Sequence, residues 1–382
     1  MPEPKSAKPK NAAGMLLGIT MVLIILVAVI AIYFLKSAEK QFGTADKRLP
    51  LPSRLKYAFL LKKNADALNK ANFFLDGKER KFFIDQSETV PDICRKLATE
   101  GFVSNAQSAC QLFVYYGRDR NMQPGSYTIA SGQNTIEIAK RIGNETYRDI
   151  SLRIFAGWRI EEIASAIDFS PFSFSGSDFL EANKAPSQLY KDKFAFIPEA
   201  SLEGFILPGL YYFKPDISLG ETIFTLLEQF ETKVVKSGLD QQIEGLGLTL
   251  REGLTMASII QRETLATEEM PLMASVFYNR LRLGMQLQTD VTVQYALGWD
   301  DNTKTWWKSR LTWDDLAVDM PYNTYRYYGL PPGPICSPSL EAIQAVAQPE
   351  RSDYLFFRAA CDQSGRHNFA ITYEEHLNNG CD

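Results

Sequence analysis

The sequence has few of the residues from which metal and redox centres are built. Its 382 residues include only two histidines, His367 and His376, and none of its five cysteines forms a C-x-x-C pair. A His-rich metal centre, a zinc ribbon and a dithiol redox motif are therefore not expected. Basic blocks are also absent and the formal net charge is −4, whereas binding to nucleic-acid backbones requires clusters of Lys and Arg. We expect no metal, no cofactor and no nucleic-acid partner.

What remains is the composition of a folded protein. Hydrophobic residues make up 45% and aromatic residues 12% of the chain, which excludes a largely disordered protein. The length allows two or three domains. In an oxidising compartment, Cys94 with Cys110 and Cys361 with Cys381 would be the nearest candidates for disulfides, and the odd count leaves at least one thiol free. A cysteine nucleophile would need a His base, and nothing in the sequence links the two, so buried structural cysteine is the better default.

One long apolar segment lies near the start of the chain. No charged residue occurs between Lys10 and Lys36, and residues 14–35 are almost wholly apolar. At 1.5 Å rise per residue this length crosses a bilayer as a helix. A cleaved signal peptide is the alternative, but its apolar core is normally shorter and no small-residue cleavage site follows here. We therefore predict a single membrane anchor at residues 14–35.

The flanking charges give a weaker indication of topology. Lysines lie on both sides of the apolar segment, so the positive-inside rule is close to a tie, but long C-terminal domains translocate largely regardless of such charges. We expect residues 1–13 to form a cytoplasmic tail and the C-terminal region to lie outside the cytoplasmic membrane. The basic stretch 36–79 is predicted to be a solvated stem or linker, with attraction to anionic headgroups as the alternative.

A strand–turn–helix pattern recurs three times in the region that follows. In each copy three apolar residues fall at positions 0, +9 and +13: Ile84, Ile93 and Leu97; Ile129, Ile138 and Ile142; Ile154, Ile163 and Ile167. The first position follows strand-forming residues, and the last two mark one face of a helix. The first two copies, residues 80–146, resemble a LysM module, a small α/β fold that recognises N-acetylglucosamine polymers. A domain that only packs against its neighbour is the alternative.

Residues 147–382 are predicted to form a mixed α+β domain. The expected helices are residues 177–184, 220–236, 251–267, 270–283, 312–318 and 339–348, and short strands are expected near 286–287, 353–358 and 367–371. The fold class is thus α+β, with an N-terminal transmembrane helix, a small LysM-like module and a larger C-terminal domain.

One acidic residue interrupts an apolar helix face. Met256, Ile259 and Ile260 are followed on the same face by Glu263, where a core-facing stripe would normally continue. Partial burial disfavours the ionised carboxyl and raises its pKa, as a general acid requires near neutral pH. The alternative is an ion pair with Arg262, Arg280 or Arg282.

Polar residues after this helix suit carbohydrate binding. Residues 286–295 contain amides, hydroxyls and one carboxylate, and residues 321–325 and 329–335 form Pro/Gly-shaped loops with polar tips. Rigid loops of this kind can hydrogen-bond sugar hydroxyls and acetamides. The five tryptophans offer stacking faces, but a core position is the commoner use, and none is assigned to the site.

Several ordered motifs together resemble the endolytic murein transglycosylase family (MltG, or YceG-like). They are residues 202–205 (LEGF), 257–264 (ASIIQRET), 274–281 (ASVFYNRL), 287–290 (LQTD), 322–325 (YNTY), 329–335 (GLPPGPI), 365–369 (GRHNF) and 372–376 (TYEEH). The resemblance extends over roughly residues 80–382, and the single anchor agrees with it.

The resemblance implies a lyase of the cytoplasmic membrane that cuts nascent peptidoglycan strands internally and ends their elongation. It places the catalytic glutamate at Glu263. Substrate-binding positions that match are Gln288, Thr289, Asp290, Thr292, Tyr295, Asn323, Thr324 and Tyr325. The implied partners are peptidoglycan glycan strands, the membrane through residues 14–35, and peptidoglycan synthases.

Departures from the family pattern concern local loops. Gln261 stands where Glu is common, Val291 replaces the usual Pro after Asp290, and residues 208–211 and 336–339 differ from the family's turns. The alternatives to a lyase are a muramidase-type hydrolase in which Asp290 activates water, a membrane-tethered glycan-binding scaffold, and a structural partner of the wall-synthesis machinery.

Overall fold

A computed structural model gives the structure of the chain and describes residues 12–74, 76–120, 122–199 and 201–381. Residues 1–11 of the predicted cytoplasmic tail lie outside the described residues. The chain divides into two compact units, residues 1–149 and 150–382, and each is described by itself. The overall class is mixed α+β, as predicted.

The N-terminal helix is longer than the predicted anchor. It runs over Ala12–Phe42 (α1), and its segment Leu16–Phe42 is long and apolar enough to cross a membrane. The helix continues past Leu35 because Ala38 and Phe42 are fully buried in the core of the first unit. The apolar side chains from Leu16 to Tyr33 are largely exposed instead.

The first unit is a helical layer with one antiparallel strand pair. Its other elements are α2 (Leu51–Lys63), α3 (Ala65–Asn69), β1 (Arg80–Ile84), α4 (Val90–Thr99), α5 (Ala106–Tyr115), β2 (Gly125–Ile129) and α6 (Thr135–Arg141). The stretch 36–79, predicted as a stem, contains two of these helices, and its Ala58, Leu61 and Leu68 lie in the core. The likeness to a LysM module stays a prediction.

The disulfide between Cys94 and Cys110 joins α4 to α5 in this unit. Helix α6 follows Asn134, whose side chain caps it by accepting hydrogen bonds from the backbone N–H groups of Ile136 and Glu137.

The second unit contains the region of the expected catalytic domain. Its strands are β3 (Ile150–Ile154), β4 (Gly209–Phe213), β5 (Phe356–Ala359) and β6 (His367–Ala370), paired antiparallel as β3–β4 and β5–β6. Its helices are α7 (Ile160–Asp168), α8 (Gly176–Lys184), α9 (Gln188–Lys193), α10 (Leu219–Phe230), α11 (Leu239–Gly245), α12 (Leu250–Glu263), α13 (Met270–Arg282), α14 (Asp290–Leu297), α15 (Trp313–Leu316), α16 (Leu340–Ala347) and α17 (Tyr373–Asn378). All three predicted strand–turn–helix units are present, the third as β3 and α7.

Helix α12 lies at the centre of this unit. Its Leu254, Met256, Ala257, Ile259 and Ile260 are fully buried, and it packs against α11, α13, α14 and α16. The surrounding helices therefore fix the direction in which its C-terminal end points.

Two predictions about this region were wrong in detail. The strand expected near residues 286–287 does not form, because the Leu287 carbonyl accepts a hydrogen bond from the Arg280 guanidinium instead of a neighbouring strand. The helix expected to reach residue 267 ends at Glu263, since Thr264 is extended and its hydroxyl accepts from the Ala266 N–H at 2.9 Å.

Candidate active site

Glu263 is the last residue of α12. The helix starts with a reciprocal cap between Thr249 and Glu252 and carries an apolar face along its length, so its final turn brings the Glu263 carboxyl out of the core. The residue is partly buried. The carbonyl groups at a helix C-terminus carry partial negative charge, which also disfavours an ionised carboxylate there.

The Glu263 carboxyl forms no hydrogen bond or ion pair with any other described residue, so the ion-pair alternative is not what the structure contains. The Arg262 guanidinium stacks on Trp307, with 3.8 Å between Cζ and the ring centroid. Arg280 donates to the carbonyls of Leu355 and Leu287, both at 2.6 Å. Arg282 donates to the side-chain oxygen of Asn279 at 3.0 Å.

These surroundings make the Glu263 carboxyl a weaker acid than an ordinary glutamate side chain. Burial raises the pKa of its carboxyl to about 7, and the negative charge of Asp290 adds to that rise, while Arg280 and Arg262 oppose it. A carboxyl with a pKa near 7 keeps its proton in a large fraction of molecules at neutral pH, and it can also take a proton back after donating one.

Asp290 and Tyr325 lie within electrostatic reach of Glu263. The Tyr325 hydroxyl donates to the Asp290 carboxylate at 2.7 Å. Asp290, the first residue of α14, is exposed, so one carboxylate oxygen is fixed by the tyrosine and the group remains open to solvent. Burial raises the pKa of the Tyr325 hydroxyl, and its hydrogen bond to Asp290 does so further.

Three predicted threonines form a buried hydroxyl cluster behind this pair. The Thr292 hydroxyl donates to the Thr289 carbonyl and lies 2.8 Å from the Thr324 hydroxyl, which accepts from the Thr289 N–H at 3.0 Å. Each of the three is at most 3% exposed. They tie the start of α14 to the loop that carries Tyr325.

Asn323 is fully buried and acts within the same loop. Its amide donates to the carbonyls of Leu316 and Val318, and its oxygen accepts from the Tyr325 N–H. Both amide hydrogens are thus used inside the protein, and the side chain orders the backbone that positions Tyr325.

The two remaining predicted residues occupy different surroundings. Gln288 is exposed and has a left-handed backbone, φ +48°, which for a residue other than glycine is sparsely populated and frequent at functional sites. Tyr295 packs on Tyr322, with ring centroids 4.8 Å apart, and its ring lies 4.1 Å from the Arg159 Cζ. Burial raises the pKa of Tyr295 strongly.

The Pro/Gly loop 329–335 lies against α12 rather than in solvent. The Ser258 hydroxyl accepts from the Ile335 N–H at 3.0 Å, and the Arg251 guanidinium donates to the Pro332 carbonyl at 3.1 Å. Gln261, at the position where the family commonly has Glu, accepts from the Ser339 N–H at 2.9 Å. The departure at Gln261 therefore has a structural use in this chain.

A second carboxyl with a raised pKa lies deeper in the unit, at a residue for which the sequence predicts no role. Glu203 is 3% exposed; its Oε2 accepts from the Ile160 N–H at 3.1 Å, and its Oε1 has no hydrogen-bond partner among the described residues. Burial raises the pKa of Glu203 to about 8. The only signal in the sequence was its place in the LEGF motif, since the residues that bury it come from distant segments.

The arrangement is suited to proton transfer by one carboxyl. Glu263 is unpaired, partly buried and close to neutral in pKa, and Asp290 with Tyr325 supplies a fixed polar pair beside it. Within the described residues no group of three His, Cys, Asp or Glu side chains is arranged to hold a metal ion.

The chain is similar to known proteins over most of its length. The sequence model of the YceG-like family matches residues 82–380. The endolytic murein transglycosylase of Bacillus subtilis (strain 168) is 31% identical over 72% of this chain and 76% of its own length. The protein of the same name from Streptococcus pneumoniae serotype 2 is 28% identical over 80% of this chain, and the match spans 59% of that relative.

A solved structure extends the similarity to the fold. The crystal structure of the yceG-like protein lmo1499 from Listeria monocytogenes aligns with a TM-score of 0.53 at 30% identity, and the alignment covers 79% of this chain and 99% of that one.

Proposed function

The chain belongs to the YceG-like family, and from that premise we propose that it is an endolytic peptidoglycan lytic transglycosylase. It is a lyase that cuts MurNAc–GlcNAc bonds within nascent glycan strands and ends their elongation. The observation that carries the proposal is the unpaired Glu263 carboxyl with a pKa of about 7, at the position where the family has its catalytic glutamate.

The first step is proton donation. The protonated Glu263 carboxyl gives its proton to the oxygen that links MurNAc C1 to GlcNAc, the C1–O bond breaks, and GlcNAc leaves as the alcohol. Positive charge then builds on the MurNAc ring in an oxocarbenium-like state. The acetamide carbonyl of MurNAc stabilises this charge, in place of the second carboxylate of ordinary glycosidases.

The second step closes the ring without water. Glu263, now ionised, removes the proton from the C6 hydroxyl of MurNAc, and that oxygen bonds to C1 to give a 1,6-anhydro end. The carboxyl finishes the cycle protonated. A single group with a pKa near the working pH serves as acid and then as base.

The other site residues divide by exposure. Gln288, Asp290 and Tyr325 are the groups that contact the strand, because these side chains retain contact with solvent. Thr289, Thr292, Asn323 and Thr324 keep the loop in place through the buried hydrogen bonds described above. Tyr295, a residue of α14, packs against Tyr322 and the Arg159 guanidinium and so holds that helix in place.

The enzyme acts from the outer face of the cytoplasmic membrane, with α1 as its anchor. Two observations support this location: the length and apolar character of the segment Leu16–Phe42, and the two disulfides, which persist in oxidising compartments. Peptidoglycan synthases are the expected neighbours, since nascent strands are the substrate.

Product analysis with a matched pair of variants tests the proposal. Full-length protein in detergent is incubated with un-crosslinked glycan strands, and the products are identified by mass spectrometry. Wild type should give 1,6-anhydroMurNAc ends, Glu263→Gln should bind strands without cutting them, and the exposed neighbour variant Glu268→Gln should cut as wild type does. Full activity of Glu263→Gln would refute the assignment.

The exposed Asp290 carboxylate keeps a hydrolase as the second candidate, because such a group can activate water. The same spectra separate the two, since a hydrolase leaves reducing ends that are heavier by one water. Binding without any new chain ends would instead indicate a glycan-binding scaffold.

A further inference from the structure

A cavity of about 530 Å³ in the second unit lies outside the site described above. One side is formed by β3 and the segment after it, and the other by the segment between α14 and α15. Its aromatic lining residues are Phe155, Trp158, Phe169, Trp299 and Trp306. This volume is in the range of small-molecule and sugar sites.

Three of the five aromatic side chains of this cavity, Phe155, Phe169 and Trp299, are exposed, whereas Trp158 and Trp306 are partly buried. Trp299 is 44% and Phe155 50% exposed. They are held in place by contacts between rings: Trp299 meets Trp306 edge to face at 5.3 Å, and Phe155 lies tilted against Trp158 at 5.1 Å, both measured between centroids. Large, pre-ordered aromatic faces favour ligands that offer an apolar surface with polar edges, as a pyranose ring does.

The charges at the cavity favour an acidic ligand. Arg153 is exposed and forms no ion pair with another described residue; its Cζ lies 5.8 Å from the centroid of the Phe155 ring. Lys304 also lines the cavity and contacts Asp301 at 3.4 Å in solvent. The one lining carboxylate, Glu162, accepts from the Trp307 ring N–H and the Arg159 N–H. A free guanidinium beside an aromatic face fits a sugar that carries a carboxylate.

The cavity and the candidate catalytic acid are connected by stacked side chains. Trp306 forms part of the cavity wall, and the Arg159 guanidinium lies against Trp306 and Trp307, at 4.7 and 5.8 Å from their centroids. Trp307 in turn stacks on Arg262, the residue before Glu263. Residues of both sites therefore belong to one packed arrangement, and a polymer is the kind of ligand that could occupy both.

We propose that this aromatic cavity is a second glycan subsite, which binds a peptide-bearing sugar of a peptidoglycan strand away from the bond that is cut. Sugar rings stack on Trp299 and Phe155, and Arg153 binds a carboxylate of the stem peptide. The subsite rests on the proposed function for its ligand. It increases the affinity for strands long enough to reach both places.

Strand binding by full-length Glu263→Gln protein in detergent tests the stacking faces. The probe is un-crosslinked glycan with intact stem peptides. Adding Trp299→Ala or Phe155→Ala should weaken binding about tenfold, and Trp299→Phe should restore most of it. Trp313 is 86% exposed and does not line the cavity, so Trp313→Ala is the matched control and should bind as the parent does.

A second arm tests the charge. Arg153→Gln should weaken binding to peptide-bearing strands about fivefold, and it should leave binding unchanged for strands of N-acetylglucosamine alone, which carry no carboxylate. Melting curves of each variant identify unfolded protein, and Phe155→Ala provides the measurement if Trp299→Ala does not fold.

The outcomes separate this proposal from the enzymatic one. If wild type produces anhydro ends while Trp299→Ala and Phe155→Ala bind like their parent, the subsite is refuted and the enzyme assignment stands. If wild type cuts nothing but the variants still bind more weakly, the enzyme assignment is refuted and the subsite stands. An equal loss for Arg153→Gln on both strand types would refute the peptide contact.

Discussion

Arg262 directly precedes Glu263 in the chain, yet the guanidinium of Arg262 stacks on Trp307 instead of pairing with the neighbouring carboxyl. The Cζ–centroid distance is 3.8 Å, and the buried Nε of Arg262 has no hydrogen-bond partner among the described residues. An arginine that paired with Glu263 would favour its ionised form and lower its pKa. Trp307 thus holds a cation away from the group that must keep a proton.

Removing the Trp307 ring should therefore impair the enzyme most at higher pH. In Trp307→Ala the guanidinium is free to approach Glu263, and the pKa of that carboxyl should fall by about one unit. Because the acid must be protonated, the alkaline limb of kcat/KM should move from near pH 7 to lower pH. Trp307→Phe, which retains a ring, should keep most of the profile. Trp307→Ala with Arg262→Gln should restore it; an unchanged limb in Trp307→Ala would contradict the argument.

The negative charge of Asp290 raises the pKa of Glu263, whereas the positive charge of Arg262 lowers it. After burial, the Asp290 charge is the main cause of the raised pKa of Glu263, so Asp290→Asn should lower that pKa and move the alkaline limb of kcat/KM down by a few tenths of a pH unit. Tyr325→Phe retains the Asp290 charge and serves as the control for the lost hydrogen bond. If Asp290 were instead the base of a hydrolase, Asp290→Asn would abolish turnover at every pH.

Local sequence patterns predicted most of the helices and strands, and they placed Glu263 on the helix that the structure shows as α12. Glu263 could be singled out from the sequence because an acidic residue on an apolar helix face is recognisable from a few neighbouring residues. The strand–turn–helix units were visible for the same reason. The pairs Cys94–Cys110 and Cys361–Cys381, nearest in sequence, are the disulfides present, and Cys336 is the free, buried thiol.

The contacts that shape the site could not be predicted in this way. Thr289 and Thr324 are 35 residues apart, and nothing in either segment indicates that their side chains meet. Glu203 looks like a surface residue in its own segment and becomes buried only through tertiary packing. The end of α12 at Glu263 depends on the turn made by the Thr264 hydroxyl, which helix periodicity does not report.

Glu203 should make the stability of the protein depend on pH. Its folded pKa of about 8 lies above the ordinary value of 4.5, so between these values the folded state holds a proton that the unfolded state releases. Stability contributed by this group is complete below about pH 4.5 and is lost as the pH rises towards 8. Each pKa unit corresponds to about 1.4 kcal/mol.

Glu203→Gln, which resembles the protonated carboxyl, should therefore gain in Tm relative to wild type as the pH rises from 5 to 8.5. Glu203→Ala should be destabilised across the whole range, because it loses the hydrogen bond to the Ile160 N–H and leaves a cavity. The measurement is thermal unfolding of the full chain in detergent. A Tm difference between Glu203→Gln and wild type that does not change with pH would contradict the assigned pKa.

The number of cysteines that can be alkylated should show whether the C-terminal region lies in an oxidising or a reducing compartment. Protein isolated without reductant and alkylated after unfolding should carry one label, on Cys336, and after reduction it should carry five. Native protein should carry none, because Cys336 is buried. The readout is the intact mass of protein purified from membranes. Five labels without reductant would place the cysteines in a reducing compartment and contradict the proposed topology.

Gly204 should be the least replaceable glycine near the site. Its φ is +81°, and an added Cβ would lie 2.4 Å from the Pro334 Cβ, in the loop whose Ile335 binds α12. Gly247 has a similar φ of +89° but nothing within 4 Å of an added Cβ. Both Ala variants take on a left-handed backbone, which costs about 1 kcal/mol. Only Gly204→Ala must also displace Pro334, at about 1–3 kcal/mol more. We expect a clearly larger drop in Tm and in strand cleavage for Gly204→Ala than for Gly247→Ala. Equal losses would contradict this, because they would mean that the loop around Pro334 shifts without affecting α12.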